Sequence, residues 1–288
     1  MTKMTINLSR ICIILIFLTT IGKCNTFSTE RIAFIRFHEA TPINSTEIHI
    51  MDTDGSNITQ LTFSGSHSYD PAWSPDGTHI AFTSRRTGKQ YIYIMTKDGS
   101  DVFRLTDETS FAPAWSPDGK RIAFVCVVDN IDQICVIDTD GSNRAQLTNG
   151  GVGALHISWS PDGAHILFGC SPAPVQICAM DADGSNQTRL TQGPGANFWP
   201  VWSPDGTQIA FVSNRHSINY EVFIMDADGS NATQLTSSIR EGRSPSWSPN
   251  GQKIVFTCDD GICIISLNKK HVHQITDYGL DPAWIPVR

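Results

Sequence analysis

Residues 71–84, Pro71-Ala72-Trp73-Ser74-Pro75-Asp76-Gly77-Thr78-His79-Ile80-Ala81-Phe82-Thr83-Ser84, open a phrase that the chain runs through six times. It continues through an Ile-X-Ile-Met-like run from Tyr91 to Met95, an Asp98-Gly99 turn and a Leu-Thr run ending at Thr106. The tryptophans of the six copies are Trp73, Trp115, Trp159, Trp202, Trp247 and Trp284, spaced by 42, 44, 43, 45 and 37 residues. Self-similarity at this period marks supersecondary units that cannot bury their apolar faces alone and must stack.

Each copy carries four β segments. In the second copy they are predicted at Pro71–Ser74, Ile80–Ser84, Tyr91–Met95 and Phe103–Thr106. Pro75 presets the second position of the first turn and Gly77 suits its fourth, while Asp98-Gly99 is a hairpin signal. Six such units predict an all-β, six-bladed β-propeller with four antiparallel strands per blade. No helical periodicity competes after residue 24. The first copy begins at its second strand, with Ile32–Arg36, Ile48–Met51 and Ile58–Thr62, and Asp281-Pro282-Ala283-Trp284 is a first strand with no partner of its own. The C-terminal strand is therefore expected to complete the first blade.

Residues 1–24 read as a secretory signal peptide and 25–288 as the propeller. Lys3 and Arg10 form a basic start, and Ile11 to Ile21 is apolar apart from Thr19 and Thr20. That run is shorter than the roughly 20 residues a membrane span needs. The expected destination is the periplasm or the exterior. Lipid attachment at Cys24 is the alternative, although Lys23 fits a lipoprotein cleavage site poorly. Without the three basic residues of this segment the formal charge falls from −7 to −10. Such a chain with no basic run points away from nucleic acid and anionic membrane surfaces as partners.

The cysteines test the alignment of the copies. Two residues past the phenylalanine of the second strand stand Arg36, Ser84, Cys126, Cys170, Ser213 and Cys258; in the third strand stand His49, Tyr93, Cys135, Cys178, Phe223 and Cys263. A copy has cysteine at both positions or at neither. Consecutive antiparallel strands are expected to place the two positions across from one another, about 4.5 Å apart at Cα, within reach of a disulfide. The expected bonds are Cys126–Cys135, Cys170–Cys178 and Cys258–Cys263, structural in role and suited to an exported chain.

The phrase Trp-Ser-Pro-Asp-Gly-X-X-Ile-Ala-Phe-X-Ser, continuing to Ile-X-Ile-Met-Asp-X-Asp-Gly-Ser-Asn-X-X-Gln-Leu-Thr, resembles the repeat of the TolB propeller family over about residues 31–287. The resemblance implies a periplasmic, protein-binding scaffold of the Tol–Pal envelope system. TolB carries an α/β domain before its propeller, whereas few residues separate Cys24 from the first strand here, so that domain's roles are not carried over. A monomeric propeller is expected.

A binding site is expected at the channel mouth, where the copies disagree. Three residues before each tryptophan stand Asp70, Ala112, His156, Trp199, Ser244 and Asp281. Closure makes Asp281 and Asp70 neighbours, and Arg243 adds a cation. This reads as a polar pocket for a peptide, sugar or cation; the plain alternative is solvated loop residues, the aspartates capping turns before proline. No cofactor is expected. The Asp-X-Asp-Gly-Ser-Asn turns, such as Asp226 to Asn231, resemble calcium loops in part but lack the distal glutamate, and turn chemistry accounts for them. His271 and His273 share a strand face without a third ligand type nearby. Sequons occur at Asn44, Asn57, Asn186 and Asn231, and the last three share one repeat position, which turn-then-strand composition explains. No Gly-X-Ser-X-Gly elbow, His-Glu-X-X-His motif or phosphate loop occurs, so a non-enzymatic scaffold is favoured. The alternative is a carbohydrate-binding module or a propeller lyase with a metal held at the mouth by His156 and, at most, His38, His67 and His216.

Overall fold

The computed structural model describes residues 30–38, 45–65, 67–150, 156–237, 239, 242–259 and 261–286. The expected signal peptide, Cys24 and Asn44 lie outside them. Every regular element among the described residues is a strand, and the strands form six four-stranded antiparallel sheets. Blade 1 contains Arg31–His38, Ser45–Asp52 and Thr59–Gln60, with Leu280–Trp284 as its innermost strand. Ile32 pairs with Trp284 and Ala33 with Ala283, and the Ile285 amide donates to the Arg31 carbonyl at 2.9 Å. The two ends of the chain thus close the ring.

Blade 2 shows how the phrase becomes a sheet: Ser68–Trp73 is innermost, then His79–Ser84, Tyr91–Thr96 and the outer Phe103–Arg104. The innermost strand starts three residues before the predicted Pro71, because a bulge lets pairing resume at Tyr69 and Ser68. The outer strand is shorter than predicted. Past Arg104 the Thr106 hydroxyl accepts the Ile92 amide at 3.0 Å, so a side chain takes over from the ladder. In the first turn Ser74 Oγ donates to Asp76 Oδ1 at 2.6 Å and accepts the His79 amide at 2.9 Å, which fixes both sides of the reversal.

Alternation along each strand distributes the core into six slabs, one at every blade interface. Ile80 and Phe82 pack on Ile35 and Ile48 of blade 1, while Ala81 between them packs towards Ile122 and Phe124 of blade 3. A sheet covered on both faces reads as a near-continuous apolar run, which is why Ile-Ala-Phe recurs. Phe34, Phe82, Phe124, Phe168, Phe211 and Phe256, one per blade, are fully buried. Each contributes about 2–3 kcal/mol of burial. Indoles tie the innermost strands together: Trp115 Nε1 donates to the Ala72 carbonyl at 3.1 Å and Trp159 Nε1 to that of Ala114 at 3.2 Å. Gly99, at φ +86°, has a second duty beyond its turn, because a Cβ there would stand 2.6 Å from the Leu61 carbonyl of blade 1.

The three cysteine pairs are bonded, each with Cα atoms 5.8 Å apart. Their register corrects the expectation of directly opposed positions. Cys126 lies opposite Gln133 and Cys135 opposite Phe124, so the bond runs along a diagonal, and the other two pairs repeat this offset. A strong twist draws diagonal neighbours closer than in a flat sheet. Blades 2 and 5 fill the same place differently. Arg86 donates from Nε to Ser84 Oγ and stacks 4.6 Å from the Tyr93 ring centre; Arg215 does the same with Ser213 and Phe223, at 5.1 Å.

Deleting residues 280–288 is expected to abolish cooperative melting of the whole ring, followed by circular dichroism; a truncated protein with an unchanged melting temperature would contradict closure. In protein lacking residues 1–24, thiol titration under denaturing conditions should find no free thiol before reduction and six after it. Replacing one pair by serines should cost about 2 kcal/mol, near the low end for such short loops.

Candidate functional site

The six innermost strands converge on a channel whose cavity measures about 280 Å³ and is lined by Asp70, Ala112, His156, Trp199, Ser244 and Asp281. His156 stands two residues before its strand, Ser158–Trp159; the other five lie within strands, and the aspartates do not cap turns. In five of the blades the residue is the bulge of the innermost strand, with φ between +47° and +53° at Asp70, Ala112, Trp199, Ser244 and Asp281. Left-handed backbone at a non-glycine residue costs on the order of 1 kcal/mol. Proline follows each of the five, giving the inner strand a residue with no amide to satisfy.

Hydrogen bonds around the channel hold the bulges. Thr83 Oγ1 donates to Asp70 Oδ2 at 3.0 Å, and the Ala112 amide donates to both Thr83 Oγ1 and Asp70 Oδ2, at 3.1 and 3.2 Å. Ser244 Oγ donates to Asp281 Oδ1 at 2.6 Å, and the Asp281 amide donates to Thr257 Oγ1 at 3.1 Å. Sequence reading missed Thr83 and Thr257. Their signal was a polar residue directly after the buried phenylalanine, where other copies have Ile35, Val125, Gly169 and Val212.

Burial raises the pKa of both channel aspartates. For Asp70 the charge of Asp281 adds to burial and the value reaches about 7; for Asp281 the Ser244 hydrogen bond and the Arg243 charge work against the rise. Two carboxylates in one cavity resist joint ionisation. Arg243 itself does not line the cavity; one residue before the bulge, it pairs with Thr257 and acts on Asp281 through its field. His156 faces Trp199 with ring centres 5.6 Å apart, and burial lowers its pKa to about 3, so it is neutral. The site therefore offers two carboxyls that act on each other electrostatically, a neutral imidazole and an indole face.

The other candidate ligands do not converge. His67 Nδ1 lies 3.4 Å from Thr46 Oγ1, and His216 Nδ1 lies 3.0 Å from Gln234 Oε1 with its ring edge on Phe223. The His38 side chain is outside the described residues. His271 and His273 are exposed on the outer strand of blade 6. No group of three or more His, Cys, Asp or Glu among the described residues is placed to hold a metal. In the Asp226–Asn231 turn the carboxylates serve the turn: Asp226 Oδ2 accepts Asn231 Nδ2 at 2.7 Å and Asp228 Oδ1 accepts the Ser230 amide at 2.9 Å. Asn57, Asn186 and Asn231 all sit at positive φ, which explains the shared sequons by conformation.

A carboxyl whose pKa is raised on folding binds its proton more tightly in the folded state, so stability falls as pH rises between the unfolded value of 3.8 and about 7. Asp70→Asn should flatten that slope, stabilising the protein by on the order of 2 kcal/mol more at pH 8 than at pH 4.5. Denaturant titrations at the two pH values check this; equal effects at both would refute the buried pair.

The TolB beta propeller domain family matches residues 19–287. A TolB homolog of Chlorobaculum tepidum is 46% identical over 85 residues, 30% of this chain and 18% of that protein. The Tol-Pal system protein TolB of Methylococcus capsulatus is 33% identical over 75 residues, 26% of this chain and again 18% of the relative. The matched segments thus span about a fifth of these curated relatives. The crystal structure of TolB from Acinetobacter baumannii superposes with a TM-score of 0.80 and 29% identity, over 90% of this chain and 67% of that one. With the repeat, the closed six-bladed ring and this match in agreement, the chain belongs to the TolB β-propeller family.

Proposed function

We propose that this chain is an exported, non-enzymatic scaffold that binds a protein of the cell envelope, in a Tol–Pal-type system, through the mouth of its propeller. The observation that carries the reading is the channel ring, where one repeat position holds Asp70, Ala112, His156, Trp199, Ser244 and Asp281. Ring closure alone asks for the same residue in every blade, and a strained position holding two buried carboxylates costs stability. The differences at this position support the reading of a binding site there.

The surroundings suit a protein partner. Phe37, Phe63, Ile131 and Ile218 are exposed by 53%, 77%, 48% and 92%, and all lie in or beside the connections that open on the mouth face. Large apolar side chains around a polar centre favour docking of another protein. The three disulfides fit an oxidising compartment. Relatives named as TolB of the Tol-Pal system point to the same class of partner.

Crosslinking pull-down from envelope extract, read by mass spectrometry, tests the proposal. The wild-type chain should recover a Tol–Pal-type envelope protein, and Trp199→Ala combined with Phe63→Ser should lower its yield at least tenfold. Equal recovery by the variant, or bound divalent metal together with unsaturated sugar products from pectin oligomers, would overturn it.

A further inference from the structure

Arg121, the first residue of the second strand of blade 3, lays its guanidinium carbon 4.9 Å from the ring centre of Trp159 in blade 4. The six copies of that position are Arg31, His79, Arg121, His165, Gln208 and Lys253. Cavities lie beside the three copies with the shorter side chains: about 410 Å³ at His79, 800 Å³ at His165 and 330 Å³ at Gln208. All three open at the Ser-Pro-Asp-Gly-type turns, on the face opposite the mouth.

The largest runs between blades 4 and 5. Trp202 lines it and keeps more exposure than Trp159, which is 7% exposed under its arginine. Asp162, Asp181, Asp205 and Asp228 line the groove together with Trp202, and no Lys or Arg is among the lining residues. Turn hydrogen bonds from Ser160, Ser203 and Ser230 hold Asp162, Asp205 and Asp228 below the usual carboxylate range, so these three are charged. His165 Nδ1 stands 3.1 Å from Asp181 Oδ1.

We propose that this groove binds an arginine side chain of a protein partner, stacked on Trp202 and paired with the aspartates that line it. A guanidinium is flat enough to lie on an indole and presents donors to carboxylates at its rim, which an ammonium does less well. The chain supplies its own precedent, since Arg121 occupies the corresponding place in the adjoining groove. The volume falls within the range of ligand pockets, about 300–1,000 Å³, and exceeds the need of one side chain, so the arginine belongs to a segment with flanking residues. This site is separate from the mouth and does not depend on the function proposed there.

Calorimetric titration of the full chain with acetyl-Ala-Arg-Ala-Arg-Ala-amide tests the assignment, with the same peptide carrying citrulline, a neutral isostere, as control. The arginine peptide should bind saturably and the citrulline peptide at least tenfold more weakly. His165→Arg, which copies blade 3, should fill the groove from within and weaken binding at least tenfold. Asp162→Asn with Asp205→Asn should do so about tenfold; both copy Asn250 of blade 6, which keeps the turn bonds to Ser248 Oγ and the Gln252 amide. Asp76→Asn with Asp118→Asn, in the groove between blades 2 and 3, should leave affinity unchanged. No saturable binding, equal binding of citrulline, or equal loss from the two aspartate pairs would overturn the proposal. Should His165→Arg fail to fold, the aspartate pairs decide.

Discussion

Every sheet of this ring is buried on both faces, and no blade can achieve that alone. The six slabs of core each draw on two neighbouring blades, so the stability of any one blade depends on the presence of both its neighbours. Closure is the condition for all of them. It is met by a strand from the far end of the chain, whose Trp284 enters the slab between blades 6 and 1 beside Phe34 and Val255. The repeat, the tryptophan linkage and the apolar runs all follow from this two-sided burial. It is also why the architecture was legible in the sequence: the pattern that buries a sheet twice is long, regular and written six times.

The channel was legible in position and not in form. Residues such as Asp70 and Asp281 stood out because the copies differ there, yet a residue before proline reads as a turn, and these lie inside strands. A bulge is not visible in a hydrophobic pattern, because it changes the register without changing the alternation that follows. What the bulge achieves is physical. In five of the six blades it turns one side chain towards the axis at a cost of backbone strain, and the hydroxyls of Thr83 and Thr257 hold two of the displaced amides. Placing two aspartates side by side in that confined space couples their protonation, which no spacing rule could have supplied.

The cysteines show the same division. Their all-or-none distribution identified the partners before any geometry, because only bonded residues need to appear together. The diagonal register was not accessible, since it depends on how far each hairpin twists. Nor was the substitute in blades 2 and 5, where a serine, an aromatic ring and an arginine occupy the place of a disulfide. Arg86 and Arg215 lie in the connections beyond the aligned strands, two residues past the serine, so a comparison of strands alone passes over them.

Aspartates at the two ends of the propeller illustrate how location decides chemistry. Asp76 and Asp98, exposed in turns and held by hydroxyl and amide donors, are pulled down to about 2, whereas Asp70 in the channel rises to about 7. The outer carboxylates therefore present fixed negative charge at neutral pH, while Asp70 in the channel takes up its proton near there and Asp281 is raised beside it. One strand connects the two regimes in blade 5. Asn197–Trp202 carries Trp199 into the channel and Trp202 to the edge of the acidic groove three residues later. A strand paired along one edge and packed on neighbouring blades has little freedom to flex, so the separation of the two indoles is set by the backbone. Where the six copies agree they hold the ring; where they differ, at its two openings, they give each end its own chemistry.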